Sequence, residues 1–304
     1  MNAIEIQNLG RRFGRTDAVH DLSLTVPQGS VFALLGPNGA GKTTTIKILM
    51  NFIPPTSGRA LVLGTDSTKL GPRERVEIGY VSENQTLPLW MTVRQLLDYC
   101  RPFYPTWDRA LEKTLLARFD LPEDRKLKNL SRGMLMKVAL MAALAYRPKL
   151  LVLDEPFSGL DPLVRDEFVQ GILEASELGN WTVFVSSHDI EEVERLADYI
   201  GVIDRGQTKL NESAESLVAR FRRVEVNLQG RSPSLEGAPA DWLMLDRVGE
   251  RVMFVDSRYS AEATDALCRK HFPQSTVTAI HMSLREIFLS LARTSRKSTK
   301  GSIS

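Results

Sequence analysis

One short stretch constrains this chain more than any other: Gly36, Pro37, Asn38, Gly39, Ala40, Gly41, Lys42 and Thr43, with Thr44 behind it. The spacing is G-x-x-x-x-G-K-[ST]. It follows an uncharged apolar run over residues 31–35, which reads as a strand buried on both faces. It opens a helical pattern over residues 42–50 that Pro54-Pro55 stops. That context makes a glycine-rich turn into an anion cradle. Gly39 and Gly41 let the backbone curl until its N–H groups point inward. The helix beginning there adds the positive end of its dipole. Lys42 brings a mobile charge suited to β- and γ-phosphates, and the Thr43 hydroxyl is a candidate Mg²⁺ ligand. The stretch predicts nucleotide binding.

The pattern around the loop alternates. Ile4, Ile6 and Leu9, then Leu22, Leu24 and Val26, suggest two early strands, and residues 59–63 a further one closed by Gly64. Strands are expected again at 150–153, 182–185 and 200–203, with helices at 164–178 and 190–197. Residues 85–145 read as mainly helical, with Thr92 and Gln95 forming a capping box and further helices at 107–119 and 132–145. Strands alternating with helices predict an α/β fold: a mostly parallel sheet covered on both faces, with a helical insert. After about residue 220 the character changes. Val224, Val226 and Leu228 alternate with polar residues, 230–240 is loop-like, strands are expected at 252–255 and 276–280, and a helix at 261–270. A last helix starts at Ser283 with Glu286 completing its box, and Leu284, Ile287, Phe288 and Leu291 share one face. Residues 221–292 thus read as a small α+β domain. The basic, serine-rich residues 293–304 are expected to be disordered. A length of 304 residues accommodates two such domains.

Charge and composition narrow the function classes. The 39 basic and 37 acidic residues leave a net charge of +2, so no chain-wide field for nucleic acid exists. Two cysteines, Cys100 and Cys268, cannot build a disulfide framework. No signal peptide is visible, and the longest apolar candidate, residues 138–146 between Lys137 and Arg147, is too short to span a membrane. Cys268 and His271 have C-x-x-H spacing without a second ligand pair, so no zinc site is read there.

A second piece of chemistry lies at residues 150–155, an apolar strand ending in Asp154-Glu155. Ligand sites of such sheets sit at the carboxyl ends of strands, which puts this end beside the phosphate loop. Asp154 is then a candidate Mg²⁺ ligand and Glu155 a candidate general base for an attacking water.

Three further motifs follow in order. Leu130-Ser131-Arg132-Gly133-Met134 precedes the Asp154 strand at the spacing of an LSGGQ signature; Ser158-Gly159-Leu160-Asp161 follows it; Ser187-His188 lies past the next strand. The series, over residues 2–220, resembles the nucleotide-binding subunits of ABC transporters. The resemblance implies a P-loop ATPase core and a head-to-tail dimer of identical or different subunits with ATP between them. The residue 36–44 cradle of one subunit would then face Ser131 and Gly133 of the other. It further implies that His188 contacts the γ-phosphate, Asp161 lies at the dimer interface, and Phe13 stacks on adenine. Glu83 falls where the family places a glutamine that ligates the metal, with Gln85 as the alternative register. Arg132 and Met134 depart from the signature. Such departures, together with the C-terminal domain and its ending at residues 283–289, resemble the ABC-2 exporter branch. The expected partners are integral-membrane permease subunits in separate chains. The expected place is the cytoplasm, peripheral on the inner face of the cell membrane. Leu87, Leu89, Trp90 and Met91 are either core of the helical insert or a groove for the permease. The competing readings are a soluble ABC-type ATPase of translation or DNA repair, and a low-turnover regulatory module. One phosphate loop and no sustained heptads count against the former.

Overall fold

The computed structural model describes residues 1–179, 181–228, 235 and 237–300. The chain forms two compact units, Met1–Asn211 and Glu212–Ser304.

The first unit begins with a long hairpin, β1 (Asn2–Phe13) and β2 (Thr16–Pro27), then β3 (Val31–Leu35), α1 (Lys42–Leu49), β4 (Ser57–Val62), β5 (Thr65–Asp66), the short α2 (Pro72–Arg75) and β6 (Ile78–Ser82). A helical stretch follows with α3 (Val93–Cys100), α4 (Arg109–Arg118) and α5 (Arg132–Leu144). Then come β7 (Leu150–Asp154), α6 (Pro162–Gly179), β8 (Thr182–Ser187), β9 (Tyr199–Asp204) and β10 (Gln207–Ser213). These strands form two sheets, ordered β2-β1-β4-β5 and β10-β9-β3-β8-β7-β6. The first is antiparallel. In the second, β3 pairs parallel with β8 and β9, and β7 pairs parallel with β6 and β8. Every residue of β3, β7 and β8 is buried: the apolar runs of β3 and of residues 150–153 as expected, and with them the polar Asp154, Thr182, Ser186 and Ser187. One apolar cluster joins Ile4 and Ile6 of β1, Leu22 and Leu24 of β2, Phe32 and Leu34 of β3, Ile46 and Leu49 of α1, and Leu150 and Val152 of β7. Each such side chain contributes about 1.5–3 kcal/mol by leaving water. The cluster fixes α1, and so the loop before it, against both sheets.

The helical stretch starts as its sequence indicates. The Thr92 hydroxyl accepts from the Gln95 amide at 3.1 Å, and Gln95 Oε1 accepts from the Thr92 amide at 2.9 Å. Further on, residues 190–197 do not form the helix expected. A tight turn at Ile190–Glu192, capped by Asp189, runs into a second turn over residues 193–196, and the Glu192 carboxylate points inward to the Ser187 hydroxyl.

In the second unit, α7 (Ala214–Arg220) precedes β11 (Arg222–Asn227), β12 (Trp242–Val248), β13 (Arg251–Asp256), α8 (Ala261–His271), β14 (Thr276–His281) and α9 (Leu284–Lys300). The sheet is antiparallel, ordered β12-β13-β11-β14. Val224, Val226, Trp242, Phe254, Cys268 and Phe272 form its core. The unit begins at Glu212, nine residues before the expected start at 221; within it Arg220 pairs with Glu212 at 2.7 Å and donates to the Ser257 carbonyl. Residues 293–300 continue α9 in place of the disordered tail expected over 293–304, and residues 301–304 lie outside the described residues. Most of the loop expected at 230–240 lies outside the described residues.

Candidate functional site

Parallel pairing sets Leu35 beside Ser187, Asp154 beside Ser186 and Ser82 beside Asp154. The residues that follow these strand ends therefore converge on one edge of the sheet. Gly36 leaves β3 with its amide bonded to the Ser187 carbonyl at 3.3 Å. The loop ends at Gly41, whose φ of 109° suits only glycine, and a Cβ there would lie 2.6 Å from the Ala18 carbonyl. Pro37, Asn38, Gly39 and Thr43 are exposed, while Ala40 and Lys42 are buried.

The charged groups form one connected chain. Lys42, 5% exposed, donates to the Gly36 carbonyl at 2.6 Å and the Pro37 carbonyl at 3.2 Å. Its ammonium also pairs with Glu155 Oε1 at 3.0 Å, and Glu155 Oε2 lies 2.8 Å from His188 Nδ1. Asp154 accepts from the Thr43 hydroxyl at 3.1 Å and the Ser186 hydroxyl at 2.8 Å. Ser186 also accepts from the Glu155 amide at 3.0 Å. Glu155 has φ of 51°, a left-handed conformation uncommon and costly for a residue with a side chain, held by these surrounding bonds. Burial pushes the Asp154 carboxyl above the ordinary range, with hydrogen bonds from Ser186 and Thr43 opposing and the Glu155 charge adding.

Other expected site residues are placed in various ways. Ser131 is the N-cap of α5 and accepts from the Met134 amide at 3.2 Å. Gly133 is buried, and a Cβ there would come 2.6 Å from Val164 Cγ1, so its lack of a side chain serves packing against α6. Asp161 accepts from the Val164 amide at 3.0 Å at the head of α6. Thr44 is half-buried in the first turn of α1. Phe13 is 46% exposed, with the Arg11 guanidinium 4.5 Å above its ring, so it is not a core residue. Glu83 Oε1 accepts from Arg132 at 2.7 Å and Ser158 at 2.8 Å. Burial raises its pKa, but these two bonds and the Arg132 charge outweigh that, and the net shift is downward. Gln85 instead accepts from the Ser82 amide at 3.4 Å.

Two residues that sequence reasoning passed over support the site. Ser186 fell beyond the strand as read, one residue past its expected end. Glu192 falls within the helix expected over 190–197; it is 5% exposed, accepts from Ser187 and lies 3.6 Å from Arg165. Burial pushes its carboxyl up against the Ser187 bond and the Arg165 charge.

Two oxygen donors, the Thr43 hydroxyl and the Asp154 carboxylate, meet at the start of α1. This hard, all-oxygen pair fits Mg²⁺, which keeps several waters and takes few protein ligands. Glu155, His188 and Glu192 also have ligand atoms within 4.8 Å of one another. The Lys42 ammonium already paired with Glu155 works against a second cation there.

Comparison with known proteins identifies the family. The sequence model of the family described as ABC transporter matches residues 19–158. The ABC transporter ATP-binding protein YtrB of Bacillus subtilis is 31% identical over 81% of this chain and 84% of its own length. The daunorubicin/doxorubicin resistance ATP-binding protein DrrA of Streptomyces peucetius is 33% identical over 95% of this chain and 92% of its own. The sulfate/thiosulfate import ATP-binding protein CysA of Shigella flexneri is 37% identical over 75% and 67%. Among such relatives the chain spans between 61% and 92% of their length. A solved structure of an ATP-binding subunit of an ABC transporter superposes with a TM-score of 0.65 at 26% identity, over 71% of this chain and 92% of that one. With the glycine cradle, its lysine and the carboxylates at the strand end, these likenesses establish that the chain belongs to the ABC transporter ATP-binding proteins, ATPases coupled to transport.

Proposed function

We propose that the chain hydrolyses ATP to drive a permease of separate integral-membrane chains, with export of the ABC-2 type as the direction. The observation that carries the chemistry is the Lys42–Glu155–His188 chain of contacts at the mouth of the cradle. Lys42 neutralises Glu155 in this arrangement. A triphosphate entering the cradle offers the ammonium a stronger anion, and the amides of residues 39–44 and the α1 dipole hold the same phosphates. Glu155, released, accepts the proton of a water that attacks the γ-phosphorus while the bond to the β,γ-bridging oxygen breaks. His188 keeps the Glu155 carboxylate oriented through Oε2. Thr43 and Asp154 would hold Mg²⁺, which supplies neutralisation of phosphate charge when bound.

The same reading gives Ser131 and Gly133 of a second subunit the far side of the nucleotide, with Phe13 stacking on adenine and Asp161 at the subunit contact. A hydroxyl and an amide at a helix start suit a γ-phosphate. Leu89 and Trp90 are 48% and 69% exposed, which supports a permease contact over core packing. No helix among the described residues is long and apolar enough to cross a membrane, which supports a peripheral position. The likeness to DrrA runs through the second unit as well, whereas that to CysA covers 75% of the chain; this favours the export reading. Purification of the tagged chain from its host in mild detergent tests it. A co-purifying multi-span protein that raises ATP turnover is expected. A chain that turns over ATP with no such companion is a soluble ATPase, and one that binds ATP without turnover is a regulatory module.

A further inference from the structure

Three separated segments of the first unit meet at one carboxylate. Glu83 follows β6, Arg132 is the first residue of α5, and Ser158 follows β7. The Arg132 guanidinium and the Ser158 hydroxyl both donate to the same oxygen, Glu83 Oε1, at 2.7 and 2.8 Å. The Glu83 amide in turn donates to the Asp154 carbonyl at 3.0 Å, so the carboxylate is anchored to the end of the catalytic strand. Room for the guanidinium is built in: at Gly159, whose φ is 69°, a Cβ would stand 2.7 Å from Arg132 Nη1.

An arginine in this place needs explanation. A cation in the first turn faces the positive end of the helix dipole and is unfavourable there. Glu83 answers it. The pair is partly open to water, with side chains 52% and 28% exposed, so its worth to global stability is small. Its value lies in location, because it is the tie between the Ser131–Gly133 edge of α5 and the strand end that carries Asp154 and Glu155. Arg132 and Glu83 are also two of the positions where the sequence departs from the pattern it resembles.

We infer that Arg132 is a positioning residue that acts through Glu83, fixing the Ser131–Gly133 edge of α5 relative to the carboxyl end of β7, and that Glu83 serves as its charge partner and not as a metal ligand. This rests on the ATPase reading above, in which that edge meets a γ-phosphate. A change in the tie moves the edge without touching the glycine cradle. It therefore alters the rate of the chemical step and leaves nucleotide affinity alone.

The test is a charge-reversal cycle on the full purified chain, with R132E, E83R and the reversed pair, and R132K as the conservative variant. ATP turnover is measured against ATP and against MgCl₂, a fluorescent ATP analogue is titrated for affinity, and melting is followed by circular dichroism. Each single reversal is expected to lower kcat about tenfold, the scale on which contacting residues couple. The reversed pair should return to within about threefold of the parent, and its glutamate in the first turn of α5 suits the dipole. R132K should keep the parent rate, since one donated hydrogen bond suffices. Affinity and the Mg²⁺ requirement should not move. Where a reversal fails to fold, R132Q, E83Q and their double variant complete the cycle. Parent kcat in the single variants, or a double variant no better than either single, overturns the inference. So does an Mg²⁺ requirement that follows residue 83 whatever stands at 132. A parent chain that binds no ATP sinks the ATPase reading; a parent chain that turns over ATP without coupling between 83 and 132 sinks this inference alone.

Discussion

At the residue scale, Lys42 and Glu155 sit in contact but should fail in different ways. Glu155→Gln removes the proton acceptor and leaves the cradle intact. It should bind ATP within a few-fold of the parent while turnover falls by about 10²–10⁴, the range for loss of a general base. Lys42→Ala should instead weaken binding itself, since a charge-assisted contact is lost; equal titration curves for the two variants would refute the division of roles. Asp154 offers a prediction of opposite sign for stability and activity. Its pKa is raised above the unfolded value by burial, so the ionised form is a burden on the folded state at neutral pH, and that burden lifts as pH falls through the folded pKa. Asp154→Asn keeps an oxygen to accept from Thr43 and Ser186. It should stabilise the chain by about 1 kcal/mol in denaturant titrations near neutrality while ATP turnover is lost, a trade common at such sites. The gain over the parent should shrink as the pH is lowered. A variant less stable than the parent at pH 7 would show that the Thr43 and Ser186 bonds outweigh the burial.

At the scale of elements, α3 depends on its cap. Thr92→Ala leaves the Gln95 amide without its acceptor and should cost about 1 kcal/mol, read as a lower denaturant midpoint with an unchanged slope. That cap was legible because the box is a local signal, carried by two residues three apart. The buried strands were legible for a related reason, since an uncharged run such as Val152–Leu153 with no alternation has few other uses. The phosphate loop was legible through spacing and context together. The turn at Ile190–Glu192 was not, because the apolar spacing of Ile190, Val193 and Ala197 matches a helix. What decides it is the Glu192 carboxylate reaching Ser187, a contact no period reveals. The tie between Glu83 and Arg132, 49 residues apart, was invisible for the same reason. The helix over residues 293–300 was hidden by a composition that reads as solvated tail.

At the scale of the molecule, the reading requires a second ATPase subunit, and a second copy of this chain supplies it where the two subunits are identical. Glu155→Gln with ATP should sediment as a dimer, and the same protein with ADP as a monomer; no change of mass on adding ATP would count against the shared nucleotide. The wider consequence follows from the backbone of Glu155. A left-handed residue with a side chain is a place where glycine would fit with less strain, by about 1 kcal/mol or more. Alongside it, Asp154 would be better tolerated uncharged. Mutational drift screened only for sturdiness would therefore discard these two acids early, and inert copies of this chain would outlast working ones under heat.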